Sequence, residues 1–264
     1  MTWTLKAFIA AGACAFATAA GAATMEPIDL RPWTAQGLPG SSNWIVSSDG
    51  SSVRQTVNST PTVFFGGGDA QGYRFSGLVT VDTTNDDDYF GFVLGYDSGD
   101  LSGGSEFLLI DWKQATQKLR DNPGTGLAGL ALSRVTGSIN TGTSSNPNAN
   151  AFHHTGVVSE LVRGSTLGST GWVDRATYLF DIAFTATNVT VSVNGVQQFN
   201  YTLTSGTFDN GAFGFYNLSQ DNVVYSAFTR GLIDPPTPAT IPLPAGAPLL
   251  LLGLGGLAIA RRRS

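Results

Sequence analysis

The chain is poor in cysteine and in the residues that build long helices. Its single cysteine, Cys14, lies in an apolar N-terminal segment that we predict to be removed, so the mature protein would have no disulfide, thiol nucleophile or thiolate metal site. Of the 264 residues only 12% are charged, with three glutamates and three lysines. A coiled coil or helical bundle, which needs Ala, Leu, Glu and Lys, is therefore excluded.

Positive charge is also scarce between the two ends of the chain. Lys6 and the arginines at 261–263 are four of the 14 basic residues, so the body carries 10 basic against 19 acidic residues. Such a body repels phosphate backbones and suits divalent cations. We therefore expect no nucleic-acid partner.

Residues 1–23 are predicted to be a signal peptide. Lys6 ends a short positive region, residues 7–20 are apolar without a charge, and small residues then allow cleavage after Ala22 or Ala23. The alternative is a buried first helix, but no amphipathic period supports it. A lipoprotein interpretation of Cys14 is weak, because the apolar run continues past it. We therefore expect an exported protein.

Residues 241–264 have the order of a C-terminal sorting signal. An apolar run to Ala260 precedes the arginine cluster at 261–263, and its roughly 16 apolar residues are at the lower limit for a membrane span, which usually needs ~20. The arginines would stay cytoplasmic. The run follows the motif Ile241, Pro242, Leu243, Pro244, Ala245, Gly246.

This arrangement resembles the PEP-CTERM sorting signals, in the variant that begins Val-Pro-Leu-Pro-Ala-Gly. The resemblance implies a Gram-negative exporter and an exosortase-type enzyme that removes the tail. It also implies a precursor held transiently in the inner membrane through residues 245–260. A plain membrane anchor is the alternative.

Between the two ends, alternation of apolar and polar residues predicts strand after strand. The clearest period-2 stretches are 90–96, 178–184 and 189–193, each expected to have one apolar face. Asn194-Gly195 predicts a tight hairpin turn, because both residues accept positive φ angles.

Further segments complete an all-β prediction. A strand pair is predicted at 212–218 and 223–228, a long surface loop at 139–151, and a linker with three prolines at 232–240. Many short antiparallel strands over about 200 residues predict a β-sandwich or jelly roll.

The centre of the chain resembles the C-terminal domain of thrombospondins. The resemblance is carried by residues 85–96, NDDDYFGFVLGY, and residues 107–117, FLLIDWKQATQ. Shorter matches follow the family's order at Asn43–Val46, Val53–Asn58, His154–Gly156, Gly171–Asp174 and Ser219–Asn222.

The resemblance covers roughly residues 28–231, and we take the domain as residues 24–231. It implies a concanavalin-A-like jelly roll that binds Ca²⁺ and, in animals, serves adhesion and matrix assembly. This sequence has neither the calcium-binding repeats that precede the family's domain nor its cysteines. We therefore do not expect the animal receptor partners.

A calcium site is predicted at Asn85, Asp86, Asp87 and Asp88. Three consecutive carboxylates repel one another unless a cation is present, and calcium takes six to eight oxygen ligands. Because neighbouring side chains diverge, one ion is expected to use two of the three aspartates, and Asp88 could instead cap the turn into the next strand. The residues alone favour the alternative, a solvated acidic turn, whereas the thrombospondin resemblance at residues 86–89 favours calcium. Ligands from other loops are expected at Asp111, Asp221 and Asn222.

No arrangement of catalytic residues is convincing. Glu106 and Asp111 are the best pair for a glycosidase, but their spacing of five places them on opposite faces of a strand. His153 and His154 are the chain's two histidines, and no serine lies in G-x-S-x-G. We expect His154 to be structural, and we expect Trp44, Trp112 and Trp172 to be core or loop anchors rather than sugar platforms.

The sequence thus predicts an exported bacterial, non-catalytic, calcium-binding adhesion or matrix module, displayed at or released from the cell surface. Its expected partners are extracellular polysaccharide or cell-surface components. The alternatives are a lectin-like glycan binder and, less favoured, a polysaccharide-active hydrolase.

Overall fold

The computed structural model describes residues 24–118, 124–139, 149–204, 208 and 210–233. The predicted signal peptide (1–23) and sorting signal (241–264) lie outside these residues, as does most of the predicted linker. Within them the strands are β1 (Glu26–Pro27), β2 (Thr34–Gly37), β3 (Trp44–Val46), β4 (Ser52–Gln55), β5 (Thr62–Phe65), β6 (Tyr73–Val81), β7 (Tyr89–Tyr96), β8 (Phe107–Lys113), β9 (Gly129–Val135), β10 (Val158–Arg163), β11 (Thr177–Thr185), β12 (Asn188–Val193), β13 (Val196–Thr202), β14 (Ala212–Leu218) and β15 (Val223–Leu232).

These strands form two antiparallel sheets, which confirms the all-β jelly-roll prediction. The first sheet has the order β13-β12-β11-β6-β15-β4-β3, with β1 paired to the far half of β15. The second has the order β10-β9-β8-β7-β14-β5-β2. A 3₁₀ turn (Asp100–Ser102) and the short helix α1 (Ala149–His153) complete the described elements.

The main core lies between the two sheets. Aromatic rings fill its centre, where Phe75 stacks on Phe213 with ring centroids 4.1 Å apart and Phe215 stacks on Tyr225 at 4.3 Å. In the first sheet the burial of β6, β11 and β12 alternates with period 2, because only one face of each strand is covered.

The second sheet is covered on both faces. Every residue of β7, β8 and β14 is buried, because α1 and the 3₁₀ turn pack on the outer face, where Phe152 and Leu101 contact residues such as Tyr89 and Val93. The single apolar face predicted for 90–96 is therefore wrong. A register shift opposite β14 and the positive φ of Gly95 also turn Tyr96 to the outer face, away from Phe92.

The hairpin at Asn194-Gly195 is confirmed, since both residues have positive φ (50° and 78°) and join β12 to β13. The strand pair predicted at 212–218 and 223–228 is corrected. Both strands exist, but β14 lies in the second sheet and β15 in the first. The chain crosses between sheets at residues 219–222, where Ser219 and Asn222 have positive φ.

Two predicted loop boundaries also change. The segment 139–151 is not wholly a surface loop, because Ile139 and Ala151 are buried and α1 begins at Ala149. The linker begins later than residue 232, since β15 continues through Leu232 and the Ile233 N–H donates to Gly72 O at 2.9 Å.

Candidate functional site

An acidic cluster forms where the loop before β7 meets the end of β8. Carboxylate oxygens of Asp86, Asp87 and Asp88 lie within 4.8 Å of one another. Calcium ligands stand about 2.3–2.6 Å from the ion, so two ligands of one ion are separated by at most about 5 Å. The three aspartates therefore fit a single divalent cation, with Asp86 and Asp87 partly exposed and Asp88 buried.

A buried lysine lies beneath the cluster. The Lys113 side chain is fully buried, and its Nζ contacts Asp88 Oδ1 at 2.5 Å, Asp87 Oδ1 at 3.6 Å and the Asp87 carbonyl oxygen at 3.1 Å. Gln117 Oε1 accepts a further hydrogen bond at 2.6 Å. Lys113 is brought here by pairing of β7 with β8, in which it stands opposite Tyr89. One lysine cation therefore offsets part of the charge of three carboxylates.

Burial and the neighbouring negative charges raise the pKa values of two carboxyl groups in the cluster. Burial, followed by the charges of Asp88 and Asp87, raises the pKa of Asp86 to about 6. Burial also raises the pKa of Asp88, although Lys113 opposes the rise. A bound cation would favour the ionised form of these carboxylates, because its positive charge would offset their mutual repulsion.

Neighbouring segments hold the acidic loop from two sides. Buried Gln220 accepts a hydrogen bond from the Asp88 N–H through Oε1 at 3.0 Å, and Asn58 Nδ2 donates to Asp86. On the other side, Trp172 Nε1 donates to the Asp88 carbonyl oxygen at 3.0 Å. The sequence segments around 85–88, 171–174 and 219–222 therefore meet at one place.

The other predicted calcium ligands divide into two groups. Asn85 is exposed in the same loop, and Asp221 and Asn222 stand beside Gln220, with the Asn222 carbonyl oxygen accepting from Asp82 N–H at 2.8 Å. Asp111, in contrast, is not part of the cluster. It lies opposite Gly91, further along β8, and its Oδ2 contacts His154 Nε2 at 2.9 Å. Asp88 pairs with Lys113 rather than capping the turn with its carboxylate.

His154 is held between two carboxylates on the outer face of the second sheet. Its Nε2 contacts Asp111 and its Nδ1 contacts Glu160 Oε2 at 3.2 Å, while Arg163 pairs with the same Glu160. Burial alone would lower the pKa of His154, but the two carboxylates offset it and raise that pKa to about 9. The hydrogen bonds expected for a structural His154 are thus present on both ring nitrogens.

Stability is expected to fall as pH rises through the His154 titration. A histidine whose folded pKa lies above its unfolded value of about 6.5 stabilises the fold fully below pH 6.5 and loses that contribution towards pH 9. We expect a loss of about 2 kcal/mol in the free energy of unfolding over this range, measured by urea unfolding. The free energy of unfolding should depend less steeply on pH in His154→Gln, whereas His153→Gln should leave this dependence unchanged over the same range. If the stability of His154→Gln depended on pH as steeply as that of the wild type, the assignment of the titration to His154 would be wrong.

Three of the candidate catalytic groups, Glu106, Asp111 and His154, are engaged in ion pairs or hydrogen bonds. Glu106 pairs with Arg134, whose Nε donates to it at 2.9 Å, so Glu106 and Asp111 belong to separate ion pairs. Both ring nitrogens of His154 contact carboxylates, which leaves no nitrogen to activate a serine. Trp112 and Trp172 are buried and Trp44 is partly buried, so the anchor prediction for these tryptophans is confirmed.

Sequence reasoning missed Lys113 and Gln220 as parts of the site. A lone lysine at the end of the apolar strand FLLIDWK was a signal, because a buried lysine needs a carboxylate partner. Nothing in the local pattern marked Gln220, whose role depends on the crossing between sheets. In the part of the chain that the structure describes, no helix is long and apolar enough to span a membrane.

Sequence comparison identifies relatives of most of the described body. Residues 40–231 match the family described as Thrombospondin C-terminal region. Thrombospondin-2 of Gallus gallus is 32% identical over 214 residues, which are 76% of this chain and 17% of that protein. Thrombospondin-2 of Homo sapiens is 31% identical over 196 residues, 70% of this chain and 16% of that protein. The chain thus spans about a sixth of the length of these relatives.

Structure comparison supports the architecture. The carbohydrate-binding module CBM66 from Bacillus subtilis superimposes with a TM-score of 0.50 over 76% of this chain and 95% of that chain, at 10% sequence identity. A likeness at this identity concerns the sandwich fold alone.

Proposed function

The chain belongs to the thrombospondin C-terminal family, and on that premise we propose that it is a non-catalytic, calcium-binding module of adhesion or matrix assembly outside the cell. The observation that carries the proposal is the cluster of Asp86, Asp87 and Asp88, whose oxygens are spaced for one cation. The absence of a free catalytic base at His154 supports the non-catalytic part.

Asp86 and Asp87 form the centre of the proposed calcium site. Both are partly exposed and can offer oxygens to an ion. Asp88 is buried against Lys113, so it contributes to the site mainly through its negative charge. Asn85 precedes Asp86 in the same loop, and Asp221 follows Gln220, whose side chain accepts from the Asp88 N–H, so these two residues and loop carbonyls are the candidates for the remaining oxygen ligands. Bound calcium would fix the loop before β7 and its contacts with residues 219–222.

Millimolar calcium is expected to raise the melting temperature of the chain. At a hundredfold excess over Kd, binding to the native state adds about 2.7 kcal/mol, which corresponds to about 5–10 °C for a domain of this size. Magnesium should give a smaller shift, because it demands octahedral geometry and keeps its water. The measurement is thermal unfolding in calcium, magnesium and EDTA.

The double variant Asp86→Asn, Asp87→Asn should lose the calcium shift. Asp181→Asn is a matched control, since Asp181 pairs with Arg74 on the other sheet. An unchanged melting temperature in the wild type would overturn the site, and a shift that survives in the double variant would place calcium elsewhere.

We further propose that the module is bacterial, exported through residues 1–23, and processed at the Ile241–Gly246 motif by an exosortase-type enzyme after a transient stay in the inner membrane. Its partners are then extracellular polysaccharide or cell-surface components. The intact mass of surface-located protein should lack Arg261–Ser264. A mass that retains this tail would leave only a plain anchor.

A further inference from the structure

A cavity of about 450 Å³ opens beside the loop that follows β5, and none of its lining residues belongs to the acidic cluster. Its volume lies within the range of about 300–1,000 Å³ that small-molecule sites occupy. Aromatic side chains and exposed polar groups line it together: Trp33, Gly67, Asp69, Phe75, Phe213 and Arg230.

Trp33 gives the cavity an aromatic wall with an unused donor. Its ring packs on Phe215 at 5.0 Å and against the edge of Phe213 at 6.2 Å, so its position is fixed by the core. The indole N–H of Trp33 has no acceptor among the described residues. The other described tryptophans do, since Trp44, Trp112 and Trp172 donate to Thr62, Thr170 and Asp88.

The glycines of the loop keep this wall accessible. A Cβ at Gly66 would lie 2.9 Å from the Trp33 indole, so any larger residue would push against the ring. Gly67 and Gly68 line the cavity, and a Cβ at either position would meet nothing within 4 Å. A second cavity of about 200 Å³ lies on the other side of residues 66–69.

The charges at the cavity nearly cancel. Asp69 is exposed and has no hydrogen-bond or ion-pair partner in the described part of the chain, while Asp29 is already paired with Arg31. Arg230 is held over the Tyr73 ring, with its guanidinium carbon 5.4 Å from the ring centroid. A neutral ligand with hydroxyl groups therefore fits better than an anion or a cation.

We propose that this cavity binds a neutral sugar residue of a polysaccharide. The apolar face of a pyranose ring packs on the aromatic wall, the Trp33 N–H donates to one ring substituent, and Asp69 accepts from hydroxyl groups. The smaller cavity across the loop 66–69 leaves room for the chain to continue. The proposal takes from the proposed function only the class of partner, and it does not need the calcium site.

The test is calorimetric titration of the full chain with neutral gluco-, manno- and galacto-oligosaccharides and with an acidic oligogalacturonide. We expect binding of a neutral oligosaccharide. Trp33→Phe, which keeps an aromatic ring but removes the N–H, and Gly67→Gln, which adds a side chain at a residue that lines the cavity, should each weaken binding about tenfold. Val196→Gln, exposed on the β12–β13 hairpin, is the control and should leave binding unchanged.

Binding that is unchanged in Trp33→Phe and Gly67→Gln would overturn the proposal, as would preference for the acidic ligand or no binding of any neutral one. The calcium variant Asp86→Asn, Asp87→Asn should still bind sugar, and the two cavity variants should still show the calcium shift. Failure of one proposal is therefore distinguishable from failure of the other.

Discussion

Replacing Lys113 with methionine is expected to lower the free energy of unfolding by about 3–5 kcal/mol. Methionine keeps most of the apolar stem in its place, so the loss comes from the charge. Asp88, whose side chain is only 5% exposed, would be left buried without its cation, and Asp87 would lose its contact as well. Urea unfolding in EDTA measures the loss.

Two controls separate charge pairing from general disruption. Arg74→Met removes an ion pair with Asp181 in which the Arg74 side chain is 56% exposed, and it should cost less than about 1 kcal/mol. Lys113→Met combined with Asp88→Asn should be less destabilised than the sum of the single variants, because neither charge is then left alone. A cost for Lys113→Met no larger than for Arg74→Met would contradict the assigned pair.

The same variant should respond more strongly to calcium. Lys113 Nζ lies within 3.6 Å of carboxylate oxygens on both Asp87 and Asp88, so the lysine competes with any cation for their charge. In Lys113→Met the calcium-induced rise in melting temperature should exceed that of the wild type. A smaller rise would indicate that the lysine is needed to shape the loop for the ion.

Alternation of apolar and polar residues was sufficient to predict the strands that are covered on one face only. The patterns at 178–184 and 189–193 and the Asn194-Gly195 turn correctly predicted β11, β12 and their hairpin partner. Alternation could not show that β7 is covered on both faces, because α1, which covers it, lies some 60 residues further along the chain. Nor could it show that β14 and β15 separate into different sheets, since that depends on the positive φ of Ser219 and Asn222.

The site was predictable where it depends on neighbours in sequence. The three consecutive aspartates at 86–88 predict mutual repulsion, and therefore a need for a nearby positive charge. The partners that come from other strands could not be predicted in this way. Lys113 reaches the cluster only because it pairs with Tyr89 between β7 and β8, and Asp111 contacts His154, which is 43 residues away in sequence. A carboxylate in a sequence predicts the need for a partner, whereas tertiary structure decides which partner it has.

Adding a methyl group at Gly171 is expected to destabilise the fold by about 3 kcal/mol or more. A Cβ at this position would lie 1.7 Å from the Gln114 carbonyl oxygen, and both groups are backbone, so neither can rotate away. The close approach lets Gln114 Nε2 donate to Asp174 at 2.9 Å, and it places Trp172 to hold the Asp88 carbonyl oxygen. Gly171→Ala should therefore weaken calcium binding as well as stability.

Gly67→Ala is the matched control for Gly171→Ala. A Cβ at Gly67 meets no atom within 4 Å and the residue does not have a positive φ, so this change should alter the free energy of unfolding by less than about 1 kcal/mol and leave the calcium shift intact. Chemical unfolding of both variants, with and without calcium, makes the comparison. Equal stability of the two variants would mean that the 170–174 loop does not press against Gln114, and a normal calcium shift in a destabilised Gly171→Ala would separate that loop from the cation site.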